Sequence, residues 1–247
     1  MSWLDLNADL GEGVGHDTAM LELVSSASIA CGGHAGDAGT IRSALQHCKA
    51  RGVRAGAHPG YPDRANFGRV RLEMPLEQVL RSVREQLDLI RTIARKEEVP
   101  IAYVKLHGAL ANQAAEDMLL AIALFGVVKE TDSDLSVLAL DNSAQVAGAE
   151  SVGLRVEREA YADRAYRADG LLVPRSHEGA VLHDPGMIAE RAVRLAQAKE
   201  MVAIDGTVLK LEARSLCIHG DTPDAVTIAR RVRSDLEAAG VEIRSPS

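Results

Sequence analysis

Short apolar runs that end on polar or glycine residues alternate with longer segments that are amphipathic at helical spacing, and this alternation recurs along the whole chain. It is the pattern of βα units around a parallel sheet. The runs are Trp3 to Ala8, Ser28 to Cys31, Val53 to Ala57, Ile101 to Leu106, Leu135 to Leu140, Leu154 to Val156, Leu171 to Val173 and Leu216 to Ile218. Most lack strict in-out alternation, as expected of strands buried on both faces. Between them, Asp37 to Arg51 carries Ile41, Leu45 and Cys48 on one stripe. Pro75 to Glu97 carries Val79, Val83, Leu87, Ile90 and Ala94, and Pro185 to Glu200 carries Ile188, Ala192 and Leu195. Thr222 and Pro223 read as a cap and first helical residue before Val226, Ala229, Val232 and Leu236.

Seven or eight such units in 247 residues, with no evident linker, predict one α/β domain over 1–247 built as a closed or nearly closed barrel. An open doubly wound sheet is the alternative. Two segments interrupt the rhythm: His58 to Met74, and the arginine-rich Glu159 to Ala180. Long loops on a rigid barrel often carry function. Met201 to Leu211 reads as a decorating hairpin through Asp205-Gly206.

Composition narrows the function classes. Aromatic residues are 3% of the chain, too few for a base-stacking platform, and 28 basic against 35 acidic residues give a net charge of -7. Nucleic acid and anionic membranes are therefore not expected partners. An odd count of 3 cysteines and no CxxC pair favour a reducing compartment. No signal peptide and no run of 18 apolar residues is read, so cytoplasm is the expectation.

Chemistry-bearing side chains concentrate at strand ends. Asn7, Asp9 and Glu12 follow the first run, and Cys31-Gly32-Gly33-His34 the second. His58-Pro59-Gly60 ends the third, Lys105, His107 and Gly108 the fourth, Asp141 and Asn142 the fifth, and His219-Gly220-Asp221 the last. In a βα barrel these positions converge at the C-terminal mouth. Asp9 and Glu12 suit acid–base work, or capping of the next helix. Lys105 suits an oxyanion, or an ion pair with Asp9 or Glu12. His34, His58, His107 and His219 suit substrate contact or proton transfer, but their spacing is not diagnostic of zinc and no metal ligand is assigned. Cys31 reads as a nucleophile or as packing, and Asp37 as a ligand contact or a cap. Arg64, Arg69, Arg164, Arg167 and Arg175 read as an anion clamp or as surface charge. The GEGVG string has neither dinucleotide nor phosphate-loop spacing.

These strings resemble the LamB/YcsF family, represented by the first of the three subunits of ATP-dependent 5-oxoprolinase. The carriers are LNADLGEG at Leu6 to Gly13, ACGGHAGD at Ala30 to Asp37, AHPGYPD at Ala57 to Asp63, and FGR at Phe67 to Arg69. KLHGAL at Lys105 to Leu110, EAYADRAY at Glu159 to Tyr166 and CIHGD at Cys217 to Asp221 complete them. Leu106 stands where the family usually has Pro, and Ala111 where it commonly has Tyr. The resemblance implies a distorted seven-stranded TIM-like barrel, related to glycoside hydrolase and deacetylase barrels. It implies cleavage of 5-oxo-L-proline to L-glutamate coupled to ATP hydrolysis, in concert with subunits B and C. ATP would be a cosubstrate, with a divalent cation such as Mg²⁺ as its companion. The matched polar mouth is Asp9, His34, His58, Lys105, His107 and His219. On chemical grounds Asp9, Glu12, Lys105 and His107 are the catalytic candidates. Asn7, His34, His58, Arg69 and His219 are the substrate-binding candidates. The same cluster admits a metal-assisted amide or acetyl-group hydrolase, or a noncatalytic chain that binds an acidic metabolite.

Overall fold

A computed structural model describes residues 2–222 and 224–246. In chain order the first half contains β1 (Trp3–Leu10), α1 (Asp17–Met20), β2 (Ser26–Ala30), α2 (Ala38–Arg51), β3 (Arg54–His58), α3 (Leu76–Glu97), β4 (Ile101–Val104), α4 (Gly108–Glu116) and α5 (Met118–Thr131). The second half contains β5 (Ser136–Leu140), α6 (Ala144–Ser151), β6 (Arg155–Tyr161), α7 (Pro185–Ala198), β7 (Glu200–Val202), β8 (Val208–Lys210), β9 (Ser215–Cys217), α8 (Ala225–Ala238) and β10 (Glu242–Ile243). Strands β1 to β6 pair in sequence order, all parallel, and β9 bonds to both β6 and β1. The barrel is therefore closed with seven strands, and the open-sheet alternative is excluded. Among the described residues no helix is long and apolar enough to cross a membrane.

The helices form for the reasons their sequences suggest. α2 opens on a capping box between Asp37 and Thr40 and ends at Gly52 in the left-handed region. Asp37 thus fills its expected role as a cap. α3 buries the expected stripe of Val79, Val83, Leu87, Ile90 and Ala94. α7 has Asp184 as its cap, accepting from the Met187 amide, with Pro185 in the first turn. α8 begins at Ala225 after Asp224, so Thr222 does not cap it; Pro223 lies outside the described residues. The hairpin β7–β8 turns at Asp205-Gly206 as expected.

Two expectations are corrected. Leu171 to Val173 is not a barrel strand: Leu172 makes only an isolated bridge to Tyr166, and β6 bonds directly to β9. Its backbone bonds instead to the nearby Ala165 to Arg167 segment, and Pro174 next to it has no amide proton for a ladder. The expectation that most strands bury apolar residues on both faces also fails where the site is built. In β1, Leu4, Leu6, Ala8 and Leu10 join the apolar layer under the helices, while the intervening Asp5, Asn7 and Asp9 are buried in polar contacts. Asp5 accepts from Ser25 Oγ and Ser26 Oγ at 2.7 Å each. Arg54 makes a two-pronged bond to Glu157 at 2.7 and 2.6 Å. The barrel interior is a hydrogen-bonded polar stack, not the layered aliphatic filling usual in such barrels.

Candidate active site

Lys105 is the centre of the buried network beneath the mouth. Its Nζ lies 2.9 Å from Asp9 Oδ1 and 2.8 Å from Glu159 Oε1. It also donates to Asn7 Oδ1 at 3.2 Å and faces Cys217 Sγ at 3.1 Å. Asn7 in turn donates from Nδ2 to Glu159 Oε1 at 2.8 Å and to Ser215 Oγ at 2.8 Å. Burial alone would lower the Lys105 pKa, but Asp9 and Glu159 outweigh it and hold the ammonium well above its ordinary range. Cys217 adds no charge, because burial pushes its own thiol up. Burial would raise the Asp9 pKa, yet His58 and Lys105 hold that carboxyl well below the usual range. The lysine is thus the ion-pair partner of Asp9, as one of its two expected roles required, with Glu159 as an additional partner.

The histidines meet on the other side of Asp9. His58 Nε2 is 3.3 Å from Asp9 Oδ2 and 2.9 Å from His107 Nδ1. His34 stacks on His107 with ring centroids 3.6 Å apart, and its Nε2 is 3.0 Å from Glu12 Oε1. Burial and then the neighbouring His58 lower the His34 pKa to about 2, and the same causes hold His107 well below its ordinary value. Glu12 moves the opposite way: burial, then Asp9 and Asp221, raise it well above the carboxylate range. A carboxyl so placed can hold a proton near neutral pH.

The loops are shaped to close over these rings. A Cβ on Gly108 would lie 2.5 Å from the Gly68 carbonyl oxygen, and one on Gly68 would lie 2.7 Å from His34 Cβ. Both residues have positive φ, so glycine is required twice over. The preceding Phe67 is itself left-handed at φ 56, and its carbonyl accepts from His107 Nε2 at 2.9 Å.

Above this floor is a cavity of about 320 Å³, within the range of small-molecule sites. Asp9, Glu12, His58, Arg69, His107 and His219 line it. Asn7, His34 and Lys105, predicted with them, stand behind the lining and act on it through Asp9, Glu12 and His107. Tyr161, Arg164 and Arg175 also line it. His219 Nδ1 donates to Asp163 Oδ1 at 2.9 Å, which leaves Nε2 as the acceptor on that ring. Arg69 is paired with Asp221. Arg164 is buried and donates to the Ala180 and Val173 carbonyls. Burial lowers its pKa to about 10, with Arg175 adding to the effect. Burial and then Arg69 likewise lower Arg175. Arg175 makes no ion pair with the described residues, so the cavity lining includes a guanidinium without a carboxylate partner there.

Several candidates are elsewhere. Arg64 bonds the Gly32 carbonyl at 3.1 Å as a loop anchor, and Arg167 pairs on the surface with Glu116 and Asp169. Asp141 is held by Arg158 at 2.9 Å, away from the cavity lining. Cys31 is packed, with its thiol pushed up to about 12 by burial, so it is not an activated nucleophile. Sequence reasoning gave no role to Glu159, Tyr161 and Asp163. The available signal was the alternation of Glu157, Glu159 and Tyr161 along β6.

The LamB/YcsF family model matches residues 4–247. The chain belongs to the LamB/YcsF family. A lactam utilization protein from Thermus thermophilus is 41% identical, with a TM-score of 0.92 over 99% of this chain and 100% of that one. More distant barrels share the fold alone. A family 4 carbohydrate esterase from Streptomyces lividans, solved with acetate, is 11% identical with a TM-score of 0.52, over 100% of this chain and 93% of its own. A GH18 chitinase from Pseudoalteromonas aurantia is 10% identical with a TM-score of 0.55, over 94% of this chain and 100% of its own.

Proposed function

We propose that this LamB/YcsF chain opens the lactam ring of 5-oxo-L-proline to give L-glutamate, coupled to ATP hydrolysis, as the barrel component of a 5-oxoprolinase that also needs subunits B and C. The observation that carries the reading is one cavity lined both by acid–base groups, Asp9, Glu12 and His219, and by the guanidinium groups of Arg69, Arg164 and Arg175. A small cyclic amide bearing a carboxylate matches that combination, with its carboxylate toward Arg175. The lactam utilization protein, similar over nearly the full length, supports the same substrate class.

The chemistry explains the need for ATP. A lactam carbonyl is a poor electrophile, and the opened five-membered ring recloses easily. Transfer of the γ-phosphoryl group to the carbonyl oxygen leaves ADP and makes the ring carbon electrophilic. Water adds to that carbon, with its proton accepted by His219 Nε2 while Asp163 orients the imidazole. Glu12, carrying a proton, delivers it to the ring nitrogen, and the C–N bond breaks to leave an amine and an acyl phosphate. A second water displaces phosphate and yields the carboxylate. Lys105 fixes Asp9 and offsets negative charge from below the floor. Subunits B and C would complete the positioning of ATP and its divalent cation, since the GEGVG loop lacks phosphate-loop spacing.

The test is a reconstitution with labelled 5-oxoproline and ATP, omitting each component in turn. Glutamate and phosphate should form in equal amounts only with all three chains present. Coupled turnover by this chain alone would refute its dependence on partners. Turnover by B and C without it would refute its catalytic role.

A further inference from the structure

The bonds that fix the two central imidazoles leave their lone pairs aimed at each other. His58 Nδ1 lies 2.8 Å from the Lys105 carbonyl oxygen, an atom that can only accept, so His58 Nδ1 carries the proton. His107 Nε2 lies 2.9 Å from the Phe67 carbonyl oxygen and donates for the same reason. In their neutral forms His58 Nε2 and His107 Nδ1 are both bare acceptors, and they face each other at 2.9 Å. Glu12 Oε1 is a third acceptor, 3.5 Å from His107 Nδ1 and 3.0 Å from His34 Nε2. One ligand atom from each of Glu12, His34, His58 and His107 falls within 4.8 Å of the others, and all four residues are buried. His34 Nδ1 is buried without a hydrogen-bond partner among the described residues. With Glu12 ionised and both imidazoles neutral, these acceptors converge on one point, and a proton or a metal cation must lie between them.

We propose that Glu12, His34, His58 and His107 form a binding site for one divalent first-row transition ion, of which Zn²⁺ and Co²⁺ are the suited probes. Three imidazoles and one carboxylate favour such an ion over Mg²⁺ or Ca²⁺, which take oxygen ligands. The carbonyls of Lys105 and Phe67 are the outer partners that fix the tautomer and orientation of ligating histidines. Glu12, His58 and His107 line the cavity, so an ion has an entry path and an open side toward substrate. The neighbouring trio Asp9, Cys217 and His219 also has its ligand atoms within 4.8 Å, but the Lys105 ammonium already pairs with Asp9 and faces Cys217 there. Its test is separate from that of the lactam reading, because ion uptake is measured without substrate or partner subunits; Glu12 is a carboxylate ligand in the ion-bound chain and a proton donor in the ion-free one.

The full chain is stripped with chelator, desalted and titrated calorimetrically with Zn²⁺. Bound metal is then counted by elemental analysis, and Co²⁺ loading is followed by its visible ligand-field bands. One equivalent should bind, and unfolding should shift to higher temperature with ion concentration. His58→Gln and the nearly isosteric Glu12→Gln should each weaken Zn²⁺ binding by more than about 100-fold, since loss of an outer partner alone costs 10–100-fold. Far-UV circular dichroism and melting of the stripped variants separate loss of the site from loss of the fold. If His58→Gln does not fold, Glu12→Gln decides. His183→Gln, outside the cluster, should bind like the parent. Absence of uptake by the parent at millimolar ion would overturn the site and leave a trapped proton between His58 and His107. Equal uptake by the parent and a folded Glu12→Gln chain would overturn it as well.

Discussion

Replacing Lys105 with methionine isolates the ion pair at the centre of the barrel. Methionine matches the length and much of the volume of the lysine stem, so the change removes charge and hydrogen bonds with little cavity formation. It leaves Asp9 and Glu159, 4% and 1% exposed, without the ammonium that lies within 2.9 Å of both. Breaking a buried pair by deleting one partner costs about 3–5 kcal/mol, and a third charge in the same pocket places the loss at the upper end. For a chain of this size that lowers the melting temperature by roughly 6–20 °C. The loss should depend on pH with a definite sign. In the parent, Asp9 is held below its unfolded value, so its contribution is full above about pH 4 and is lost as pH falls further. In Lys105→Met the facing carboxylates bind protons more tightly when folded than when unfolded, so the variant regains stability as pH falls from about 8 toward about 5. Urea titrations of both chains at about pH 8, 6.5 and 5 measure the gap. Adding Glu159→Gln to Lys105→Met should recover about half of it. A gap below about 1 kcal/mol, or one that does not narrow on acidification, would show that Lys105 does not neutralise these carboxylates.

Asp9→Asn should lower coupled turnover in the full complex by about 10²–10⁴-fold, with a smaller stability loss than Lys105→Met, because Glu159 still pairs the lysine. Parent-like turnover at saturating substrate would remove Asp9 from the mechanism. Asp163→Asn should reduce kcat by a similar factor with KM little changed, since it misorients His219, whereas a pure KM effect would make that pair a binding contact. Gly108→Ala must relieve a 2.5 Å approach to the Gly68 carbonyl at positive φ, and should cost about 1–3 kcal/mol in unfolding free energy; an unchanged urea midpoint would refute the close approach. In the metal-free chain, His34 is neutral when folded, with its pKa lowered to about 2, but protonates near 6.5 when unfolded. Stability should therefore be full above about pH 6.5 and fall by about 1.4 kcal/mol per pH unit below it, a slope that His34→Asn should reduce.

The outer layer of the barrel was legible because it obeys simple periodicities. The α3 stripe, the Asp37 cap and the apolar runs of β1 to β5 follow from spacing alone, to within two residues at most strand ends. The strand-end rule placed Asp9, Glu12, His58, His107 and His219 on one cavity although they are scattered over 211 positions of the 247. β6 was harder. Arg155, Glu157, Arg158 and Glu159 are poor strand residues by propensity, and the apolar signal spans only Leu154 to Val156 while β6 runs on to Tyr161. Their place in the sheet is set by partners distant in sequence: Arg54 for Glu157 and Lys105 for Glu159. No local window contains those pairs. The apolar run at Leu171 to Val173 misled for the opposite reason, since it packs over the mouth without entering the ladder.

The polar interior also bears on how the site can be held rigid. An aliphatic barrel core tolerates repacking, because hydrophobic contacts have little directional preference. Here each inward side chain is oriented by hydrogen bonds to another: Asp5 to three serines, Asn7 to Glu159 and Ser215, and Lys105 to Asp9 and Glu159. Such a network contributes little net stability relative to apolar packing, but its directional bonds define one arrangement. Asp9 is where that arrangement reaches the cavity, with one carboxylate oxygen on Lys105 and the other facing His58. A change at Glu159, two contacts below the cavity, should therefore alter the orientation of Asp9 and, through His58, the whole histidine cluster. The coupling runs through the ammonium, so Glu159→Gln should perturb Zn²⁺ affinity in the parent and have little effect once Lys105 is methionine. Equal effects in the two backgrounds would show that the coupling does not run through Lys105.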